Sequence, residues 1–212
     1  MTALRTTWAW WTAGLAFALY PALRPYADER ALAGLAGMGS TRWLVAHLLG
    51  MLGFALLPVA LSALGGSDAH AVGRPQLLGP ARGLAYAGVV GVLPYYGGEA
   101  FGLHAVGAYA SAQGDLALLS VVDGFRYQPA ALTLFGVGLL ALAGSGVLVW
   151  VATAGSGRRW RVAAGLLALG LVLFLPQFFA PAPLRVAHGL LLAAGCWAVA
   201  LAQGSRTSLP RT

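Results

Sequence analysis

The sequence predicts an all-α integral membrane protein, and its composition and apolar pattern carry that prediction. Of the 212 residues, 59% are apolar and 9% are charged, and the mean hydropathy is +0.76. Soluble domains carry about 25% charged residues, so this chain has too few to hydrate its surface in water. Six apolar segments follow one another, separated by breakers rich in Gly and Pro. A bilayer is therefore the expected solvent, and helices are the expected structure because they satisfy their own backbone hydrogen bonds there.

Each apolar segment is long enough, or nearly so, to cross a bilayer. A hydrocarbon core of about 30 Å requires roughly 20 apolar residues in an α-helix. The third segment is the weakest, because Gly97-Gly98-Glu99 interrupts its apolar run. We predict one transmembrane domain over residues 1–212, a bundle of six transmembrane helices. The spans are residues 7–23, 43–64, 83–104, 129–153, 160–179 and 183–203.

The first apolar segment has the length of a signal peptide but not its other features. It begins with Trp8, Trp10 and Trp11, a cluster typical of a membrane interface. It ends in Tyr20-Pro21 rather than in a small-residue cleavage motif. We therefore predict a retained helix.

Two stretches between the spans mix apolar and charged residues. Residues 115–127 combine Leu and Val with Asp115, Asp123 and Arg126, and residues 27–39 are similar. Such segments are typical of helices that lie in the plane of a membrane surface. We predict one or two short interfacial helices on the outer side.

The arginines orient the predicted bundle. All 13 basic residues are Arg, and an inside N-terminus leaves eight of them in inner segments and five in outer segments. The densest cluster, Arg158-Arg159-Trp160-Arg161, then also lies inside. The positive-inside rule therefore predicts that both termini lie inside. The absence of Lys and the abundance of Gly resemble the codon bias of a GC-rich bacterial genome, so the expected location is a bacterial plasma membrane.

Polar residues within the predicted spans fall at one depth, in the outer leaflet. His47 lies about 9 Å below the outer end of the second span at 1.5 Å per residue, and His188 lies at nearly the same depth in the sixth. The others lie toward the outer ends of the third and fifth spans: Tyr95, Tyr96, Glu99, His104 and Gln177. An ionisable group in hydrocarbon costs roughly 2.5–3.5 kcal/mol on insertion scales, which makes these residues candidates for function. The fourth histidine, His70, falls in an inner polar loop, where we expect it to be solvated.

Spacing relates some of these residues to one helix face. Gly88, Gly91, Tyr95 and Glu99 share a helical stripe, whose small residues would let a neighbouring helix or a ligand approach. His104 follows Glu99 by five residues, which is about 140° around a regular helix. The two share a site only if Gly97-Gly98 breaks the helix or if another element bridges them.

We predict an outer-leaflet pocket that binds an amphiphilic ligand or cofactor, with acid–base chemistry on an isoprenoid- or quinone-like substrate as its catalytic form. Burial brings a carboxyl group and an imidazole toward the range in which acid–base catalysis works. Glu99 and His104 are the candidate catalytic residues. The candidate ligand-binding residues are His47, His188, Tyr95, Tyr96 and Gln177.

Other interpretations remain open at this point. His47 and His188 could ligate haem b as an axial pair, although the sequence has no HxxxH, HExxH or Cys/His cluster and Cys196 is its only cysteine. The chain could also be a small transporter or a structural subunit. In a structural role Glu99 would simply pair with Arg126 or Arg185, and the tyrosines would join an interfacial belt.

The expected partners are membrane lipids and a lipophilic small molecule. A net charge of +7 does not predict nucleic-acid binding, because the arginines are scattered over short loops. The sequence leaves the oligomeric state open.

Overall fold

The structure is a computed structural model that describes residues 3–64 and 72–204. Within these ranges the ordered elements are helices, as the sequence predicts. His70 lies outside the described residues. The α-helices are α1 (Ala3–Leu23), α2 (Leu32–Met38), α3 (Thr41–Ala63), α4 (Leu78–Gly97), α5 (His104–Gln113), α6 (Leu119–Arg126), α7 (Pro129–Ala152), α8 (Arg158–Val172) and α9 (Ala182–Gly204).

Six of the helices pack side by side in a closed ring. Its order is α1, α3, α4, α7, α8, α9 and back to α1. Aromatic side chains fill the centre: the rings of Phe17 and Phe54 lie 5.3 Å apart, and Phe174 lies 4.8 Å from Phe54. The ring therefore encloses a packed core rather than a pore along its axis.

Small residues set the spacing between α4 and α7. A Cβ atom added to Gly91 would lie 2.8 Å from the Cα atom of Gly138, and one added to Gly88 would lie 2.8 Å from the carbonyl oxygen of Gly138. The stripe predicted on the third span thus packs against a neighbouring helix. Larger side chains at these positions would force the two backbones apart.

Helices α4 and α5 belong to one continuous helix. They are joined by a π-helical segment, Gly98–Leu103, so that with the preceding 3₁₀ turn the helix extends over Pro75–Gln113. The glycines that interrupt the apolar run do not end the helix. Instead the winding widens at this point, and π segments of this kind are frequent at functional sites.

A small second core lies at one end of the ring, which we call the cap end. Here α1, α4 and α8 finish, α3, α7 and α9 begin, the short helix α2 packs on α5, and α6 joins the same buried cluster through Val122. The buried members of this core are Leu35, Met38, Trp43, Leu103, Ala110 and Val122. The two segments predicted as interfacial helices thus contain α2 and α6, and both pack at the cap end.

Local sequence explains the helix ends at the cap end. The Ser40 side chain accepts a hydrogen bond from the Trp43 amide, and the Gln128 side chain accepts one from the Ala131 amide, so α3 and α7 both have an N-cap. Gly114, at a φ angle of +67°, takes the left-handed conformation that ends α5.

In the part of the chain that the structure describes, four helices are long and apolar enough to cross a membrane. They are Thr41–Ala63, Pro75–Gln113, Pro129–Ala152 and Ala182–Gly204. The two other helices of the ring are α1, with 21 residues, and α8, with 15. Helix α8 ends at Val172, before the predicted end of the fifth span at residue 179, and Pro176 starts a separate 3₁₀ turn, Pro176–Phe179. Proline has no amide hydrogen to continue a helix, which accounts for the shorter α8.

Candidate functional site

A cavity of about 400 Å³ opens at the cap end of the ring. All six ring helices or the turns that follow them contribute to its wall, together with α6 and the α1–α2 loop. The lining includes five charged residues, which we call the charged wall, Arg24, Glu29, Glu99, Arg126 and Arg185, together with His47. It also includes aromatic and aliphatic residues, which we call the aromatic wall, Tyr20, Tyr95, Tyr96, Tyr127, Leu132, Phe135, Leu175, Phe178 and Phe179, and it includes Gly136.

Glu99 is held by Arg126 through two hydrogen bonds. The Nε and Nη2 atoms of Arg126 donate to the two carboxylate oxygens at 2.8 and 2.9 Å. Arg126 ends α6, and Glu99 lies in the π segment, so this pair ties the short helix to the ring. The Glu99 side chain is 8% exposed and that of Arg126 is 14% exposed. A bidentate pair this well shielded fixes orientation as well as charge.

The pair extends into a chain of alternating charges. Arg126 also donates to Glu29 through Nη1, and Glu29 accepts from Arg24 at 2.6 Å. Glu29 lies in the loop between α1 and α2. Burial alone would raise the pKa of Glu29, but the neighbouring guanidinium groups of Arg24 and Arg126 outweigh burial and lower it.

The lowered pKa of Glu29 predicts that its ion pairs are lost in acid. A depressed folded-state pKa gives stability that is present above the ordinary value of 4.5 and is lost as the pH falls through the folded value. We expect the melting temperature of the wild-type protein to fall below about pH 4.5, and Glu29→Gln to fall less steeply over the same range. Thermal unfolding in a neutral detergent between pH 3 and 7 measures both slopes. Equal slopes would show that Glu29 does not carry this pH dependence.

Trp43 connects the ion-pair chain to His47. Its indole Nε1 donates to the Glu99 backbone carbonyl at 2.7 Å. The His47 Nδ1 lies 2.8 Å from the Trp43 carbonyl oxygen, which can only accept, so Nδ1 carries a proton. The Nε2 atom of His47 lies 3.8 Å from Glu99 Oε2. This ring nitrogen is the one available to a ligand in the cavity.

The two predicted tyrosines lie in the same wall. The Tyr95 ring stacks on Phe135 with centroids 4.4 Å apart. The Tyr96 side chain is buried, and its ring centroid lies 5.5 Å from that of Tyr20. The Tyr96 hydroxyl has no hydrogen-bond partner of good geometry among the described residues. These aromatic faces suit the apolar part of a ligand.

The other predicted site residues lie elsewhere. His104 places Nδ1 3.1 Å from the Met38 carbonyl and so joins α5 to the end of α2, outside the cavity wall. The π segment therefore does not bring His104 to Glu99. His188 places Nε2 2.8 Å from the Gly170 carbonyl, near the end of α8. His188 and Gln177 line a small crevice of about 10 Å³, which adjoins the cavity through the shared residues Tyr20 and Arg185.

The two histidines of the haem hypothesis line different pockets. His47 lines the cavity and His188 lines the adjoining crevice, and each places one ring nitrogen 2.8 Å from a backbone carbonyl oxygen. Across residues 3–64 and 72–204, no group of three His, Cys, Asp or Glu side chains could hold a metal ion. Cys196 is buried in α9, as the packing interpretation expects.

The charged partners of Glu99 are the part of the site that the predicted set of site residues omits. The sequence indicates Arg126 only as a structural ion-pair partner of Glu99, and it does not single out Arg24, Glu29 or Trp43 as site residues. A signal for Arg126 does exist, because it ends the amphipathic stretch 115–127 that was predicted to lie at the same membrane face. Arg24 and Glu29 lie in the loop between α1 and α2, and the pattern of apolar residues does not predict where that loop runs.

The fold and the cavity define a helical bundle with a charged and aromatic site at one end. No protein-family model, curated protein or solved structure matches this chain. Its function must therefore be argued from the site alone.

Proposed function

We propose that this chain is a membrane protein of six crossing helices, with both termini inside, and that its cap-end cavity binds one amphiphilic molecule from the outer leaflet. The observation that carries the proposal is the cavity itself, because it combines a charged wall with an aromatic wall in about 400 Å³. Sites for small molecules span about 300–1,000 Å³ and pair apolar walls with a few placed polar groups.

The outward faces of the ring helices support the membrane assignment for α1 and α8 as well as for the four longer helices. Leu15 on α1 is 51% exposed and Val162 on α8 is 52% exposed, values close to Leu140 on α7 at 64%. Apolar side chains around the whole ring are expected where lipid is the solvent. The arginine distribution then turns the cap end outward.

The rim of the cavity supports a ligand with an apolar chain. Leu132 on α7 and Leu175 and Phe179 after α8 line the cavity, and all three are exposed. They form an apolar lip between α7 and the 3₁₀ turn that follows α8. An acyl or isoprenoid chain could lie across this lip while the polar end of the same molecule meets the charged wall.

The hydrogen bonds of Glu99 favour His47 over Glu99 as the residue that would exchange a proton with a substrate. Both Glu99 oxygens are bonded to Arg126, which leaves this carboxylate poorly placed to exchange protons with a substrate. His47 is better placed, because it lines the cavity and its Nδ1 is anchored on the Trp43 carbonyl, which leaves Nε2 to exchange a proton. In a catalytic version of the proposal, His47 accepts the proton and Glu99 stabilises the imidazolium that forms. This is the narrower proposal, since it requires bond-making chemistry in addition to binding.

The remaining hypotheses have less support. Haem binding is less favoured because His47 and His188 line two different, adjoining pockets. Transport lacks the inverted repeat and the midplane site that are usual in secondary transporters. A purely structural role does not account for the open cavity or for its exposed apolar lip.

A cavity-filling substitution tests the proposed function. Gly136 lines the cavity, and a Cβ atom added there would meet no atom within 4 Å, so Gly136→Trp should fill the space without disturbing the fold. We expect wild-type protein purified in a mild detergent to carry a bound amphiphile in native mass spectrometry, and Gly136→Trp to lose it at an unchanged melting temperature.

Gly83→Trp is the matched control for this experiment. Gly83 on α4 is also open to a side chain but lies outside the cavity wall, so this variant should keep the bound molecule. Wild-type protein without any bound amphiphile, or Gly136→Trp that retains it, would contradict the proposal.

A further inference from the structure

We propose that the amphiphile carries a single anionic group, a carboxylate or a phosphodiester, and that Arg185 binds it. This inference rests on the proposed function and specifies the chemical class of its ligand. It follows from the charge count of the cavity wall, the geometry of Arg185 and the position of the apolar lip.

The charge count leaves one cation of the cavity wall without a carboxylate. Arg24, Glu29, Arg126 and Glu99 form a chain of alternating charge whose four members neutralise one another. The fifth charged residue of the wall is Arg185, and no carboxylate within residues 3–64 and 72–204 forms an ion pair with it. The wall therefore has a net charge of +1 beside a low-dielectric surface. A ligand with one negative charge would neutralise it.

Arg185 is held in place with donors to spare. Its Nε donates to the Ala180 carbonyl at 2.8 Å, and its Nη2 donates to the Phe178 carbonyl. Its guanidinium carbon lies 5.9 Å from the centre of the Tyr26 ring. A guanidinium has five N–H donors, so the two carbonyls fix its orientation and leave Nη1 to pair with oxygens of an anion.

The anchors of Arg185 belong to the segment that forms the lip. Phe178 and Ala180 flank Phe179, whose side chain is 88% exposed and lines the cavity. An anionic group on Arg185 would thus have its apolar chain beside Phe179 and Leu175, at the exposed edge of the bundle. A free inorganic anion would use the guanidinium but leave this apolar surface unused, which favours a lipid over a soluble anion.

The test compares ligands that differ only in the head group. Protein in dodecyl maltoside is titrated with a long-chain fatty acid, the alcohol of the same chain, phosphatidylglycerol and phosphatidylcholine, and binding is read by native mass spectrometry. We expect the fatty acid, the phosphatidylglycerol or both to bind about tenfold or more tightly than their neutral or zwitterionic counterparts, as one charge-assisted hydrogen bond implies. Whichever of the two anionic ligands binds more tightly shows whether the site prefers a carboxylate or a phosphodiester.

Variants of Arg185 assign the preference to this side chain. Arg185→Gln should lose the tenfold preference while still binding the alcohol, and Arg185→Lys, which keeps the charge, should recover part of it. Arg42→Gln is the matched control, because Arg42 is an exposed arginine at the start of α3 and also lies at the cap end. It should behave as wild type.

Three results would overturn the inference, and they differ from failure of the proposed function. Equal binding within both pairs, fatty acid against alcohol and phosphatidylglycerol against phosphatidylcholine, would remove the anionic requirement and leave an amphiphile site. A preference that survives in Arg185→Gln would remove the role of Arg185. Displacement of the fatty acid by inorganic phosphate at equal concentration would assign the site to a free anion. If none of the chain-bearing ligands binds, the proposed function fails as well.

Discussion

Arg126→Gln is expected to lower the free energy of unfolding by about 3–5 kcal/mol, the cost of removing one partner from a buried ion pair. The substitution leaves the Glu99 carboxylate, 8% exposed, without its two strong hydrogen bonds. It also releases α6 from the ring, since Arg126 joins that helix to both Glu99 and Glu29. Thermal unfolding in detergent, together with steric trapping for the free energy, measures the effect.

Two further variants separate the buried pair from a general effect of charge. Arg30→Gln removes an arginine of the cap end that is 76% exposed and lies 3.9 Å from Asp123, and it should change stability by less than about 1 kcal/mol. The double variant Glu99→Gln, Arg126→Gln removes both charges of the buried pair, so its loss should be smaller than the sum of the two single losses. A strictly additive double variant would show that the two side chains are not coupled.

Trp43→Ala is expected to lower the free energy of unfolding by a similar amount, about 3–5 kcal/mol, because it leaves a cavity where the ring meets the second core at the cap end. The side chain is buried and packs against the His47 ring with centroids 4.2 Å apart. It also lies 4.8 Å below the guanidinium of Arg24 and donates to the Glu99 carbonyl. Thermal unfolding in detergent measures the loss.

Trp43→Phe distinguishes packing from hydrogen bonding at this position. It keeps an aromatic ring but leaves the Glu99 carbonyl without its donor, which costs about 1–3 kcal/mol when the group is buried. Trp150→Ala is the control, since Trp150 is 47% exposed, and it should cost much less than Trp43→Ala. Equal losses at the two tryptophans would contradict the structural role of Trp43.

The helices could be predicted because apolar length and breakers are local properties. Helix α3 begins and ends within two residues of the predicted second span, and α7 within one residue of the fourth. The helix of the third span also runs through Gly97-Gly98, as the predicted bounds 83–104 require, and it extends further at both ends, to Pro75–Gln113. A glycine pair weakens a helix in isolation, but in this fold the helix continues as a π segment, and Gly98 packs against the ring of Phe125 on α6. At such a position, contacts with neighbouring segments of the fold, rather than the local sequence, determine whether the helix continues.

The site could be predicted only in part, because depth in a membrane is one coordinate of three. Depth brings His47, Tyr95, Tyr96 and Glu99 to one cavity wall. It cannot tell which way a side chain points around its helix, and His188 turns to the Gly170 carbonyl instead. The arginine partners were harder to anticipate, because they are carried by loops and by short helices whose positions depend on tertiary packing.

If the chain crosses the membrane as proposed, the long continuous helix also sets the height of the ion pairs. Along Pro75–Gln113, Glu99 lies about 26 Å beyond Arg82 at 1.5 Å per residue, close to the outer boundary of a hydrocarbon core of about 30 Å. Helix α5 continues roughly 20 Å beyond Glu99. In the proposed topology the charged wall would therefore be level with the head groups of the outer leaflet. A lipid could slide into the cavity sideways, with its polar end already at the right height, and would never have to be lifted out of the bilayer.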